Sequence, residues 1–289
     1  MKNIITFSFC DSFIEKLAGY IEANYVKKGT DLSRIAVVFG GKRPALFLKR
    51  ELAKRIKGNF YPPRFFTIDE FVSYIVDKKE SYSRVIDLNN CYFLYTLAID
   101  KAPEILRGRE TFAQFLPWAR EILQFIDQLD LEMVDNKALL NIRANAQIGY
   151  DVPEDINRLL AHIVTLKDVY EKKVRKDKTY SRGLEYLRAA ELVDECEFYE
   201  FDQVIFCNFF YFHRTEDKIV KSLYDRGLAT LIFQGDERKW PVLKRISKNL
   251  NCELKEGSLP DKALSIQWSL LSRLKLPTED KRQCNASPR

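Results

Sequence analysis

Ile35-Ala36-Val37-Val38-Phe39-Gly40-Gly41-Lys42-Arg43-Pro44-Ala45-Leu46-Phe47-Leu48-Lys49-Arg50-Glu51-Leu52 is the stretch that decides the fold. Its opening apolar run has no alternation, as expected of a parallel strand covered on both faces. Gly40-Gly41 end the strand, and Pro44 falls in the first turn of the next helix, where its missing N–H costs nothing. Upstream, Ile4-Ile5-Thr6-Phe7-Ser8-Phe9 reads as a strand, and Ser12 with Glu15 predicts a capping box opening a helix to about residue 27. Downstream, Phe65-Phe66 end a third short strand, and Thr67 with Glu70 predict a second capping box before a helix through Phe71, Tyr74 and Ile75. Strands alternating with helices over short connections imply an α/β fold with a parallel sheet.

From about 82 to 200 the pattern is helical alone. Apolar residues recur at helical spacing in 91–99, in 112–126 and in 156–170. Strand signals return at Val204-Ile205-Phe206-Cys207-Asn208 and at Ala229-Thr230-Leu231-Ile232-Phe233, which ends in Gln234-Gly235-Asp236. The expected organisation is therefore a first α/β part over 1–80, a helical insertion over 81–200, a second α/β part over 201–275 and a polar tail over 276–289.

The composition, 46% apolar and 30% charged with 11 Gly and 10 Pro in 289 residues, excludes disordered and collagen-like classes. No window approaches the apolar length of a membrane span, and Met1-Lys2-Asn3-Ile4-Ile5-Thr6 lacks the core of a signal peptide. The expectation is a soluble, cytoplasmic chain with no membrane partner. Its six cysteines contain no CxxC pair, which suits reduced thiols better than a disulfide framework or a zinc site.

The net charge of +6 is concentrated. Residues 42–57 hold seven bases against one acid, so this stretch alone equals the excess of the whole chain. Such concentration favours a local anionic partner. On a helix opened by Pro44, Ala45, Leu48, Leu52 and Ile56 would face the sheet. Arg43, Phe47, Arg50, Lys54 and Lys57 would then make one cationic stripe with an aromatic in it, flanked by Lys42. A solvated helix face, with Phe47 covered by the helical insertion, is the competing reading. A second cluster, Lys172, Lys173, Arg175, Lys176, Lys178 and Arg182, carries the same ambiguity, since bases also complement a helix C-terminus.

No phosphate cradle is found at the strand ends. The first junction, Phe9-Cys10-Asp11-Ser12-Phe13, has neither Gly nor Lys, and Asp11 would repel phosphate. Matching Gly41-Lys42 to GxxxxGK[ST] would place the first glycine on Ala36 and the hydroxyl residue on Arg43. After Asn208 comes Phe209-Phe210-Tyr211-Phe212 rather than a pair of magnesium-holding acids. Asp236-Glu237 offers acids, but a lone Gly-Asp is more often a turn. Acid pairs with (D/E)xK can be forced on Glu237-Arg238-Lys239 or on Asp261 with Glu279-Asp280-Lys281, and solvated charge explains both better. His162 and His213 have no metal-ligand spacing.

The segments 5–13, 35–52 and Pro63-Arg64-Phe65-Phe66-Thr67-Ile68-Asp69-Glu70-Phe71 resemble the start of AddB-type subunits of bacterial recombinational helicase-nucleases, most of all the Bacteroidetes form. These belong to the PD-(D/E)XK nuclease superfamily of double-strand-break repair proteins. The resemblance is close over 1–75 and architectural over 76–270. It implies a RecA-like, superfamily 1 helicase-like domain with a large helical insertion, degenerate at the nucleotide-motif positions Asp11, Ser12, Asn208 and Asp236. It also places the run after Phe39 where relatives contact single-stranded DNA, although Gly40-Gly41-Lys42-Arg43 departs from their paired-Arg pattern. The chain then reads as an N-terminal piece or a truncated homologue, since the second helicase-like domain and the nuclease with iron-sulfur cysteines are not found. The function implied is a DNA-binding scaffold without ATPase or nuclease activity or cofactor, contacting unwound DNA and an AddA-type motor subunit. The alternative is a nucleotide-dependent enzyme with a degenerate site.

Overall fold

The structure, a computed structural model, describes residues 3–137, 139 and 154–255. The expected polar tail and the candidate acids Asp261 and Glu279-Asp280-Lys281 lie outside the described residues. In chain order the elements are β1 (Asn3–Phe7), α1 (Phe13–Asn24), β2 (Ile35–Phe39), α2 (Arg43–Arg55), β3 (Arg64–Thr67), α3 (Ile68–Asp77), β4 (Ser83–Arg84), α4 (Asp87–Lys101) and α5 (Phe112–Leu131). They continue with α6 (Glu154–Asp177), β5 (Thr179–Tyr180), α7 (Arg182–Leu192), β6 (Gln203–Cys207), α8 (Arg214–Asp225), β7 (Ala229–Gln234) and α9 (Leu243–Leu250). They divide into two compact units. One comprises Met1–Phe71, Glu197–Phe212 and the chain from Val220; the other comprises Val72–Cys196 and His213–Ile219.

The first unit is built on a parallel sheet of order β1-β7-β6-β2-β3, with β2 in register with β6 from Ile35–Gln203 to Phe39–Cys207. Every residue of β2 and β7 is buried, as the continuous apolar run of β2 requires, and β7 buries Thr230 and Gln234 with its apolar residues. On one face Ile5, Val37, Ile205 and Ile232 pack with Leu17, Ala18 and Ile21 of α1 and Leu48 and Leu52 of α2. Each such aliphatic side chain contributes roughly 1.5–3 kcal/mol on burial. On the other face Phe71 meets Phe206 edge-on at 5.6 Å and stacks near Phe198 at 6.2 Å.

Because every strand is parallel, all carboxyl ends lie on one edge. From β2 the chain passes outward to β3, and from β6 it passes the opposite way to β7. The order therefore reverses between β6 and β2, the position at which open α/β sheets take ligands.

The second unit is mainly helical, with α4 packed on α5 and α5 on α7. The expectation of helix alone over 81–200 is corrected by β4 and β5, which pair in parallel through Ser83–Thr179 and Arg84–Tyr180. Two-residue strands carry no periodicity and leave no sequence signal. α5 and α7 approach closely at Gly183, where an added Cβ would fall 2.5 Å from the Asp127 backbone. Asp127 accepts hydrogen bonds there from Ser181 Oγ (2.6 Å) and Gly183 N–H (3.0 Å).

Thr67 and Glu70 form the expected reciprocal pair: Glu70 accepts from Thr67 N–H at 2.9 Å, and Thr67 Oγ1 accepts from Glu70 N–H at 3.2 Å. The Ser12–Glu15 box does not form. Ser12 starts α1 through its carbonyl alone, accepting from Lys16 N–H at 3.0 Å, while its hydroxyl makes no cap bond. β1 stops at Phe7, short of the expected Phe9, because the chain turns with Asp11 N–H on Ser8 O (3.1 Å).

Candidate nucleic-acid interface

α2 starts at the carboxyl edge and runs back along the sheet. Leu48 and Leu52 are buried, and Ala45 and Ile56 pack beside them, so the helix presents its expected apolar face. The opposite face carries Arg43, Leu46, Phe47, Arg50 and Lys54, with Lys57 just beyond the last turn. Phe47 is 59% exposed and Leu46 66% exposed. The reading in which Phe47 is covered is thereby corrected. Leu46 lies outside the stripe read from the sequence, although the spacing that turns Ala45 and Leu48 inward turns it outward.

The bases differ in what holds them. Lys42 pairs with Glu70 at 3.1 Å and Lys54 with Glu51 at 3.4 Å. Arg55 bonds Glu51 at 2.9 Å and approaches Glu22 at 3.8 Å, and Lys49 lies over the Phe65 ring at 5.2 Å. Arg55 is also the main reason that the Glu51 carboxyl is held below its ordinary range. Among the described residues Arg43, Arg50 and Lys57 have no acidic partner. No side chain caps the N-terminus of α2, so its first-turn N–H groups and the positive end of the helix dipole lie beside Arg43. That combination attracts a phosphate, and the exposed ring of Phe47 one turn on offers a face to a base.

The second basic cluster is only partly engaged: among the described residues Lys172, Lys176 and Lys178 are exposed and make no ion pair, and the other three have partners. Lys173 pairs with Asp177 at 2.9 Å, Arg175 takes Glu191 at 3.2 Å, and Arg182 lies 4.9 Å over the Tyr186 ring. Arg188 pairs with both Glu191 and Glu80. Desolvation opposes ionisation of Glu191, and its bonds to Arg175 and Arg188 outweigh it, so its carboxyl is lowered.

At the carboxyl edge Asp11 and Asp236 are engaged by the chain's own bases, and Ser12 and Asn208 are not. Asp11 meets Lys16 at 3.4 Å, and Ser12 is exposed. Gln234 Nε2 donates to both Ser8 O and Asp11 O at 3.0 Å, which pins the turn after β1. Gly235, at φ 113°, leaves room for Phe9, whose ring would lie 2.5 Å from a Cβ there. Phe9 stacks on Phe210 (6.0 Å, 9°) and meets Trp240 at 4.8 Å. Asn208 adopts φ 58° and donates its N–H to Ile232 O at 2.8 Å; its enclosed Oδ1 has no hydrogen-bond partner among the described residues.

Phe209, 8% exposed, reaches across the crevice to Gly40, where an added Cβ would lie 3.9 Å from its ring. It packs against the buried Phe212 at 4.9 Å. Asp236 is 3% exposed and accepts from Arg238 N–H (2.8 Å), Nε (3.1 Å) and Nη2 (2.8 Å), a turn whose carboxylate is already neutralised. The aromatic run after β6 was legible in the sequence; its role as a filler of the switch-point crevice depends on strand order. His162 pairs with Glu104 at 2.8 Å and His213 with Glu132 at 2.7 Å, so the two histidines have separate acidic partners.

The sequence matches no protein-family model and no curated protein.

Proposed function

We propose that the chain is a catalytically silent, RecA-like helicase-type module that binds single-stranded or unwound DNA through the outer face of α2. The observation that carries this reading is the exposed ring of Phe47 between Arg43 and Arg50, two guanidinium groups without acidic partners among the described residues. Phosphates supply the affinity and aromatic faces accept bases without regard to sequence. The Phe209 filling and the turn after β1, whose Cys10 and Asp11 N–H groups are taken by Ser8, support the absence of nucleotide turnover, because phosphate binding at a strand end needs a loop with open N–H groups.

The resemblance of residues 5–71 to AddB-type subunits supports a place as the N-terminal helicase-like part of such a subunit. It would act in the cytoplasm as a DNA-contacting scaffold beside an AddA-type motor and nuclease subunit. Fluorescence anisotropy with a labelled single-stranded oligonucleotide tests the binding reading: the parent chain should bind at low salt, and the Arg43→Glu/Arg50→Glu variant should bind much less. A folded parent with no low-salt binding, or a variant that binds as the parent does, contradicts it. Magnesium-dependent ATP turnover lost on changing Lys42 or Asp236 would favour the nucleotide-enzyme reading instead.

A further inference from the structure

In the helical unit, Lys167 is 4% exposed and faces two carboxylates: its Nζ lies 2.7 Å from Asp130 Oδ1 and donates to Glu171 Oε1 at 2.7 Å. Asp130 is 2% exposed, and neither of its oxygens accepts a well-aligned hydrogen bond among the described residues. Two carboxylates and one ammonium leave a net negative charge, with Asp130 and Lys167 enclosed and the Glu171 side chain 19% exposed. Burial penalises that charge, and one bound proton removes it. We propose that Asp130, Glu171 and Lys167 form a buried proton-binding site that strengthens the junction of α5 and α6 when protonated and weakens it when the proton leaves.

The surroundings support the geometry. Leu129 and Val164 on the two helices pack together with Leu139, so the site sits beside an apolar contact. Desolvation, followed by Glu171, raises the Asp130 carboxyl to about 7 against the pull of Lys167. Lys167 itself is raised by its two carboxylate partners in spite of its burial, so the ammonium stays charged while a carboxyl takes the proton. Tyr170 on α6 also faces Asp130, and its own hydroxyl is raised mainly by burial. The next acids along α5 are engaged elsewhere, Asp127 by Ser181 and Gly183 and Glu132 by His213.

The sign follows from linkage. A carboxyl raised in the folded state binds its proton more tightly there than in the unfolded chain. Its contribution is complete below the ordinary aspartate range and is lost as pH rises through neutrality.

Carbon-13 carboxyl titration of the full chain labelled at aspartate tests the site, with Asp130→Asn assigning the resonance. The Asp130 signal should titrate near neutral pH, some thousandfold in proton affinity above an ordinary aspartate at about 3.9. A midpoint near 4 in the parent chain overturns the proposal; assignment of the carboxyl through bonds to the Asp130 backbone keeps this outcome readable if the variant fails to fold. In a folded Asp130→Asn chain, amide exchange of α5 and α6, corrected for intrinsic rates, should lose the parent's greater protection at pH 5.5 than at pH 8. An unchanged pH dependence in that variant also overturns it.

Discussion

α2 and the α6–α7 segment over 172–182 carry similar densities of lysine and arginine, and each keeps some bases free of acids, yet only α2 sets an exposed aromatic ring among them. In the second segment Asp177 lies one turn away and Glu191 is brought over by α7, so Lys173 and Arg175 bind the protein itself while Lys172, Lys176 and Lys178 face solvent. On α2 the single acid, Glu51, sits between Lys54 and Arg55, and the outer row from Arg43 to Arg50 is left facing solvent around Phe47. A count of bases in a sequence window thus does not report an outward field. What decides is whether acids distant in sequence return to the same face.

The largest expected effect is at Phe47. Replacing it with Ala should weaken single-stranded DNA binding by roughly 1–3 kcal/mol, the usual worth of a base on an aromatic ring. Because the ring is more than half exposed, thermal stability should change little. A variant that binds as the parent does would show that the ring takes no part and would reduce α2 to a charged surface.

The converse experiment sharpens the comparison. Asp177→Asn with Glu191→Gln should release Lys173 and Arg175, raising salt-dependent binding by a few-fold and making the α6–α7 segment more like α2. The cost to stability should be about 1 kcal/mol or less, since these pairs are half exposed. Unchanged DNA affinity would mean that charge alone, without an exposed aromatic, does not make the interface.

A smaller effect is expected at Glu70, whose carboxyl is held below its ordinary range first by the Thr67 N–H and then by Lys42. A depressed carboxyl contributes above its unfolded range and loses that contribution as pH falls through its folded value. Glu70→Gln should therefore flatten the acid limb of stability slightly. It should also free Lys42, so that DNA binding at neutral pH rises or stays level. A fall in binding would contradict the placing of Lys42 at the margin of the stripe.

Much of the sheet was readable beforehand, for a local reason. β2, β6 and β7 are covered on both faces, so each appears as a mainly apolar run without alternation, unbroken in β2 and interrupted only by Thr230 within β7. Thr67 and Glu70 are readable because a capping box lies within four residues. Phe9 looked like strand and instead leaves β1 to lie on Gly235, a contact between residues more than two hundred positions apart. The same limit applies to the site. Helical spacing placed Arg43, Phe47, Arg50 and Lys54 on one face, but the fates of the two basic clusters turned on Glu70, Glu191 and the strand order, which no window of sequence contains.

The most direct measurement is the salt dependence of single-stranded DNA affinity for three folded proteins: the parent, the Arg50→Glu/Lys54→Glu/Lys57→Glu variant and the Lys172→Glu/Lys173→Glu/Arg175→Glu variant. The parent should lose affinity steeply with salt, and the α2 variant should show a log-log slope shallower by about 0.7 for each phosphate contact removed. The α6–α7 variant should keep the parent's slope. Equal slopes for the parent and the α2 variant, or a larger loss in the α6–α7 variant, would contradict α2 as the DNA-binding face.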